Sequence, residues 1–210
     1  KLDLIKAVIK VLNPKFGFDL ETSCEVLPGT GLGGSSAISV ATIGAFNFFN
    51  KESNFDSYKI ADIAYQAERI ELNINGGWQD QYATTFGGFN WIEFSKDDIL
   101  VNSLNLSKDV IHELEYNILL FNIGYSRNSS VINIALKKYS NTSKKNKLNY
   151  KKMYDVSVKM KSALSKGKVK EFGDLLDLAW KLKKTFNKNI SNKKVDNLYN
   201  YAKKCGALGG

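Results

Sequence analysis

The stretch Leu27-Pro28-Gly29-Thr30-Gly31-Leu32-Gly33-Gly34-Ser35-Ser36-Ala37 decides how this chain is read. Before it, Phe18 to Val26 alternates, with Phe18, Leu20, Thr22, Cys24 and Val26 on one side and Asp19, Glu21, Ser23 and Glu25 on the other, which predicts a half-solvated strand. After it, Ser35 to Phe49 is apolar nearly all round, which predicts a buried helix. Four glycines between Gly29 and Gly34 let the backbone fold closely round a ligand. The first N–H groups of the helix have no intrahelical partners, so the turn is a natural phosphate cradle.

Gly29, Gly31 and Gly34 formally satisfy G-x-G-x-x-G, but the dinucleotide fingerprint needs a preceding strand buried on both faces and, after the helix, a parallel strand ending in an acid. Here the preceding strand carries a charged face, and Asn50 to Ser57 runs into another helix. No Gly-Lys-Ser/Thr follows, so a Walker loop is also excluded. A plain tight turn before a core helix accounts for one or two of the glycines and not for all four.

Working outward, Leu4, Ile5, Val8, Ile9 and Leu12 predict an amphipathic helix over Leu2 to Leu12. Ser57 is read as the cap of a helix running to about Leu72, with Ile60, Ile63, Ala64, Ala67 and Ile70 on one face; Glu68 falls beside that stripe and Glu71 almost on it. A Gly-Gly turn, a short helix over Gln79 to Phe86, a second Gly-Gly turn and a strand over Phe89 to Phe94 follow. After a polar stretch, 95–109, Ile118 to Ile123 reads as a buried strand, and helices are predicted near 129–139, 151–165, 169–186 and 193–204. This is an α+β order and not a regular βαβ alternation. A boundary near residue 110 divides it into an N-terminal lobe, 1–110, and a helix-rich C-terminal lobe, 111–210.

The 210 residues carry a net charge of +9, unevenly distributed. Residues 1–136 hold 10 Lys+Arg against 16 Asp+Glu, and residues 137–210 hold 20 against 5, every one of the 20 being Lys. With no aromatics interleaved in the manner that stacks bases, these lysines are read as solvated helix faces, and no nucleic-acid partner is expected. No uncharged apolar run reaches the roughly 18 residues of a membrane helix, so no membrane partner is expected and the protein is read as cytoplasmic. Cys24 and Cys205 lie far apart with a single histidine, His112, between them, which supports neither a disulfide framework nor a zinc site and reads as buried, reduced thiols. The opening inside a helical pattern, with no Met, and the closing GALGG are read as marks of an internal segment of a longer protein.

Asp80 is the most unusual acid. It follows Gly76-Gly77 and stands in the first turn of a short helix, where free N–H groups and the helix dipole favour an anionic side chain; the bland alternative is an ordinary N-terminal cap.

At these residues the chain resembles a family. Pro28 to Ala37 closely resembles the second motif of the GHMP kinases, in which a glycine-rich loop wraps nucleotide phosphates and a serine helps hold Mg2+. The resemblance implies ATP and Mg2+ as cofactors. It assigns Pro28, Gly29, Gly31, Leu32, Gly33, Gly34, Ser35 and Ser36 to the nucleotide, with Ser35 as the magnesium-side hydroxyl and Ser36 second. Glu68 and Asp80, twelve apart, match the helix glutamate that ligands the metal and the aspartate that faces the acceptor hydroxyl, so Asp80 is the implied catalytic residue and, with Gly77, lies at the acceptor. The segment Gly76 to Phe94, GGWQDQYATTFGGFNWIEF, is similar to members acting on heptose 7-phosphates. In Leu119 to Ile132, Arg127, Ser129 and Ser130 have the chemistry to grip the sugar phosphate. The implied fold is a two-lobed GHMP-kinase fold, truncated at both ends. The implied reaction phosphorylates the anomeric hydroxyl of a heptose 7-phosphate to the 1,7-bisphosphate, on a route to nucleotide-activated heptose for surface glycans. The alternatives are a fucose- or galactose-type kinase of the same family and a non-catalytic protein that senses a sugar and ATP.

Overall fold

A computed structural model describes residues 2–26, 29–50, 54–123 and 144–210. These fall into two compact units, described separately below: one runs to Asn102, the other comprises Ser103–Ile123 and the residues from Lys144 on. The expected helix near 129–139 lies outside the described residues.

The first unit is built from α1 (Leu2–Leu12), α2 (Gly34–Phe49), α3 (Ser57–Tyr65) continued by a π-helical segment (Gln66–Glu71), and α4 (Gln79–Phe86), followed by a hairpin of β1 (Asn90–Phe94) and β2 (Ile99–Ser103). Its core is Ala7 and Val8 of α1, Ile43 of α2, and Ile63, Ala64 and Ala67 of the α3 arm, closed over by Val40, Phe55, Ile60 and Leu72. The period-3.6 apolar stripes of three helices meet there, and exclusion of that area from water holds them together. Asp56, rather than Ser57, caps α3, its carboxylate accepting from the Lys59 N–H at 2.8 Å.

Three further expectations about this unit are corrected. Phe18 to Val26 is irregular and exposed, with no strand; alternation creates a strand only where a neighbour completes the ladder, and no described strand pairs with it. The α2 helix is not buried all round. Ser36, Ser39, Thr42, Ile43 and Phe46 form its buried stripe, while Phe48 is 82% exposed. Being apolar on every side, its sequence does not mark which face turns in. The third correction is the π segment, treated with the site below.

The second unit contains α5 (Lys108–Asn117), α6 (Lys144–Ser165), α7 (Val169–Lys184), a 3-10 turn (Lys188–Ile190) and α8 (Lys193–Lys204). Leu114, Leu164 and Val169 form one core cluster, and Val156, Ala163 and Leu175 another, with Phe172 packed against both. The polar stretch 95–109 hides β2 and the start of α5, whose cap Ser107 accepts from the Val110 N–H at 3.4 Å. Ile118 to Ile123 is not a buried strand: it is irregular, and Leu119, Leu120 and Phe121 are exposed. Both cysteines are free and exposed, against the expectation of burial: Cys24 lies in the irregular segment, and Cys205 ends α8. Among the described residues no helix is long and apolar enough to cross a membrane.

Candidate active site

The glycine loop adopts the conformation its composition allows. Gly29, Gly31 and Gly33 have φ of 85°, 77° and 72°, the left-handed region in which a side chain is strained. Gly33 ends the loop as the N-cap of α2, and no side chain caps that helix. Gly34 is already helical, and an added Cβ there, as at Gly31, would meet open space. Leu32 is exposed. Pro28 lies outside the described residues, as do Arg127, Ser129 and Ser130.

One turn into α2, hydroxyls replace hydrocarbon on the buried face. Ser36 and Ser39 are buried, and both point at Glu68, itself only 1% exposed. Ser36 Oγ donates to Glu68 Oε2 and Ser39 Oγ to Oε1, each at 3.3 Å. Gln81, the second residue after Gln79 on α4, is fully buried and donates from Nε2 to Glu68 Oε2 at 2.6 Å and to Ser36 Oγ at 3.3 Å. Ser35, adjacent to Ser36 and turned about 100° round the helix, is exposed. The structure thus brings Ser36, not Ser35, to Glu68.

The π segment explains why Glu68 is buried. Continued as an α-helix, the stripe Ile60, Ile63, Ala64, Ala67 would carry on through Ile70 and Glu71. Widening to i→i+5 bonding, seen where the Leu72 N–H reaches the Ala67 carbonyl at 3.3 Å, shifts the phase. Ile70 is turned out to 65% exposure and Glu71 reaches the surface to pair with Lys10 of α1, while Glu68 is carried inward.

Asp80 lies in the first turn of α4 and is 55% exposed. Trp78, not Asp80, is the N-cap residue, and no side chain caps this helix. The Trp78 ring stacks on Tyr65 with centroids 3.4 Å apart, and the Tyr82 hydroxyl donates to Asp62 at 3.1 Å, so two contacts fasten α4 to α3. Burial first, and then the Asp62 carboxylate, push the Tyr82 phenol above its ordinary range. Arg69, 12% exposed, has its Nη2 3.6 Å from Glu68 and 4.0 Å from Asp80, and its Nε donates to the Gly77 carbonyl at 3.4 Å. A Cβ at position 76 would lie 2.4 Å from the Arg69 guanidinium carbon, so a side chain there displaces the guanidinium.

These contacts bring Ser36, Glu68 and Asp80 into one neighbourhood below the loop. Ser39, Gln81 and Arg69 belong to it and escaped the sequence reading, although each left a trace. Ser39 follows Ser36 by one helical turn, Gln81 adjoins Asp80, and Arg69 is one of only two arginines, with Arg127, among 30 basic residues.

Oxygens in adjacent positions of an octahedral Mg2+ shell, with ligands at about 2.1 Å, lie about 3 Å apart. The 3.3 Å between Ser36 Oγ and Glu68 Oε2 fits that spacing. Gln81 Oε1, buried and without a hydrogen-bond partner, is an orphaned acceptor on the same side chain that bonds both oxygens, which suits a cation or its bound water. Among the described residues no three His, Cys, Asp or Glu gather into a metal cluster.

Residues 3–88 match the family model of the GHMP kinases N terminal domain. Across its whole length it is 34% identical to the D-glycero-alpha-D-manno-heptose 7-phosphate kinase of Campylobacter jejuni, of which it spans 63%. Its fold is similar to that of a D-glycero-D-manno-heptose 1-phosphate kinase from Bacteroides thetaiotaomicron, with TM-score 0.66 and 29% identity over 88% of this chain and 55% of that one. It is likewise similar to a sugar kinase from Campylobacter jejuni, with TM-score 0.65 and 31% identity over 97% of this chain and 59% of the other. The chain therefore spans a little over half the length of these relatives.

Proposed function

We propose that the protein is an ATP-dependent sugar kinase whose acceptor is a heptose phosphate, with heptose 7-phosphate the first candidate and the anomeric hydroxyl the site of transfer. The observation that carries this reading is the buried Ser36–Glu68 pair directly beneath an uncapped helix N-terminus and a loop of left-handed glycines. Backbone N–H groups and glycines suit phosphate oxygens, and a paired hydroxyl and carboxylate suit the divalent ion that accompanies them.

In this reading the loop from Pro28 to Ser36 receives the triphosphate. Glu68 and Ser36, the hydroxyl that faces it, would hold Mg2+, which would neutralise charge on the transferring phosphoryl group. Ser39 and Gln81 fix the Glu68 carboxylate. Asp80, exposed at the head of α4, orients the acceptor hydroxyl; a carboxylate is a weak base, so alignment and charge outweigh proton removal. Gly77 lines the acceptor side, and Arg127, Ser129 and Ser130 hold the sugar phosphate. The relatives' names support the acceptor class and differ in where its existing phosphate sits. The product would feed a nucleotide-activated heptose for surface glycans, in the cytoplasm where ATP is available.

The test is a coupled assay on the full-length protein with heptose 7-phosphate, heptose 1-phosphate, fucose and galactose at equal Mg-ATP. Turnover with heptose 7-phosphate at least tenfold above the others is expected. Preference for fucose or galactose would move the acceptor assignment within the family, and sugar and ATP binding without any turnover would make the protein a sensor. For the phosphate grip, Arg127→Ala should raise KM for the phosphorylated sugar far more than for its unphosphorylated counterpart.

A further inference from the structure

We infer that Arg69 is a positioning residue for the phosphoryl transfer proposed above, on which the kinetic part of the inference rests: it holds the Gly76–Gly77 turn and through it the placing of Asp80 relative to Glu68. Its guanidinium lies between the two carboxylates, 3.6 Å from Glu68 and 4.0 Å from Asp80, while Nε bonds the Gly77 carbonyl at 3.4 Å. Nε makes the hydrogen bond while Nη2 faces both carboxylates at ion-pair distance, and a lysine ammonium cannot reproduce that division. Only two of the 30 basic residues of the chain are arginine, and Arg69 is one of them. The Arg69 side chain is 12% exposed and that of Glu68 1%, so this contact is shielded from the screening that weakens surface ion pairs, whereas the contact with Asp80, 55% exposed, is not.

The neighbouring glycine is cut to fit. A Cβ at residue 76 would lie 2.4 Å from Arg69 Cζ and 2.7 Å from Nε and Nη1, so a side chain there displaces the guanidinium from this place. No side chain caps α4, and so the direction in which its first turn presents Asp80 depends on the turn beneath it. Trp78 stacked on Tyr65 fixes the far side of that turn, and Arg69 fixes the near side. The π segment makes the arrangement possible, since it carries Glu68 inward while the next residue still reaches Gly77 and Asp80.

The experiment compares Arg69→Gln, Arg69→Lys, Gly76→Ala and the Arg69→Gln/Gly76→Ala double variant in the full-length protein. Arg69→Gln should lower kcat about 10- to 100-fold, as a displaced reacting group does, with KM for Mg-ATP changed less than about twofold. Arg69→Lys should recover only part of that loss. Gly76→Ala should lower kcat in the same direction, and on the Arg69→Gln background it should add little, because both act through one contact. Hydrogen exchange gives a readout independent of turnover: amides from Gly76 to Tyr82 should exchange faster in Arg69→Gln, with the Ala61–Ala67 amides unchanged. Unaltered exchange over 76–82, or full recovery of kcat by lysine, overturns the inference. So does multiplication of the two single-variant effects in the double variant. If the wild-type protein phosphorylates no sugar, the kinase reading falls, and the exchange measurement alone decides whether Arg69 holds the turn.

Discussion

At the scale of single residues, the site turns on one carboxylate. Glu68 has both oxygens engaged, Oε1 by Ser39 and Oε2 by Ser36 and Gln81, so its position is set from two other helices before any ligand arrives. Replacing Ser39 by Ala removes the donor to Oε1 and should cost about 1–3 kcal/mol of stability, read as a lower unfolding midpoint. If Mg2+ is held where proposed, Glu68→Gln should lower kcat about 100-fold or more. Ser36→Ala should lower kcat and raise the Mg2+ concentration needed for half-maximal rate, whereas Ser35→Ala should leave both within about twofold. The reverse order would return the metal-side hydroxyl to Ser35. Glu68 and Asp80 were legible because a twelve-residue spacing beside two glycine turns matches a known pattern. The choice between adjacent serines was not, since 100° of helical rotation decides it and the helix is apolar on all sides. Arg69 was legible only as a rarity, because nothing in its spacing announces a guanidinium turned back toward a loop eight residues ahead.

At the scale of elements, the loop and α2 divide the work between strained and unstrained glycines. Gly33 has φ 72° at the N-cap, so Gly33→Ala should destabilise by about 1–2 kcal/mol through the left-handed penalty alone. Gly34 is helical with open space at its Cβ, so Gly34→Ala should raise the unfolding midpoint by about 0.5–1 kcal/mol equivalent. If phosphates come close at that point, the same variant should raise KM for ATP; unchanged nucleotide affinity would place the triphosphate elsewhere. Helices declared themselves through period: α1, α4 and α8 stand where the pattern predicts them, with ends agreeing to a residue or so. Strands did not, because a strand is a property of a pair. Phe18 to Val26 and Ile118 to Ile123 carry the alternation and the apolar run, and neither has a described partner. The π segment was illegible for a related reason: one extra residue in a turn leaves composition untouched and moves every later side chain round the axis.

At the scale of the whole molecule, charge separates the two parts of the sequence more sharply than any motif. With 20 lysines against 5 acids in residues 137–210, acids are scarce and the described ones that pair are heavily used. Asp177 of α7 accepts from Lys181 at 2.6 Å and from the Tyr199 hydroxyl of α8 at 2.7 Å, with Lys203 at 3.8 Å. Asp196 of α8 takes Ser191 and Lys184. The Asp177 contacts and the Lys184–Asp196 pair help tie α8 to α7, beside the Trp180–Tyr199 ring contact, and they bear on pH. The hydrogen bond from Lys181, followed by that from Tyr199 and by the nearby ammonium charges, outweighs burial and holds the Asp177 carboxyl below its ordinary range. A carboxyl lowered in the folded state contributes stability that is complete above its unfolded value, about 4, and disappears as pH falls through the folded value. Asp177→Asn should therefore lower stability at pH 7 by about 1–3 kcal/mol, the worth of hydrogen bonds to a charged group. The difference from wild type should narrow below about pH 4, as the native carboxyl itself becomes protonated. Because the Asp177 side chain is only 14% exposed, 1 M salt should remove just part of the difference at pH 7. Thermal unfolding of both proteins from pH 3 to 8 measures this, and a gap independent of pH would show that Asp177 acts there through shape and not through charge.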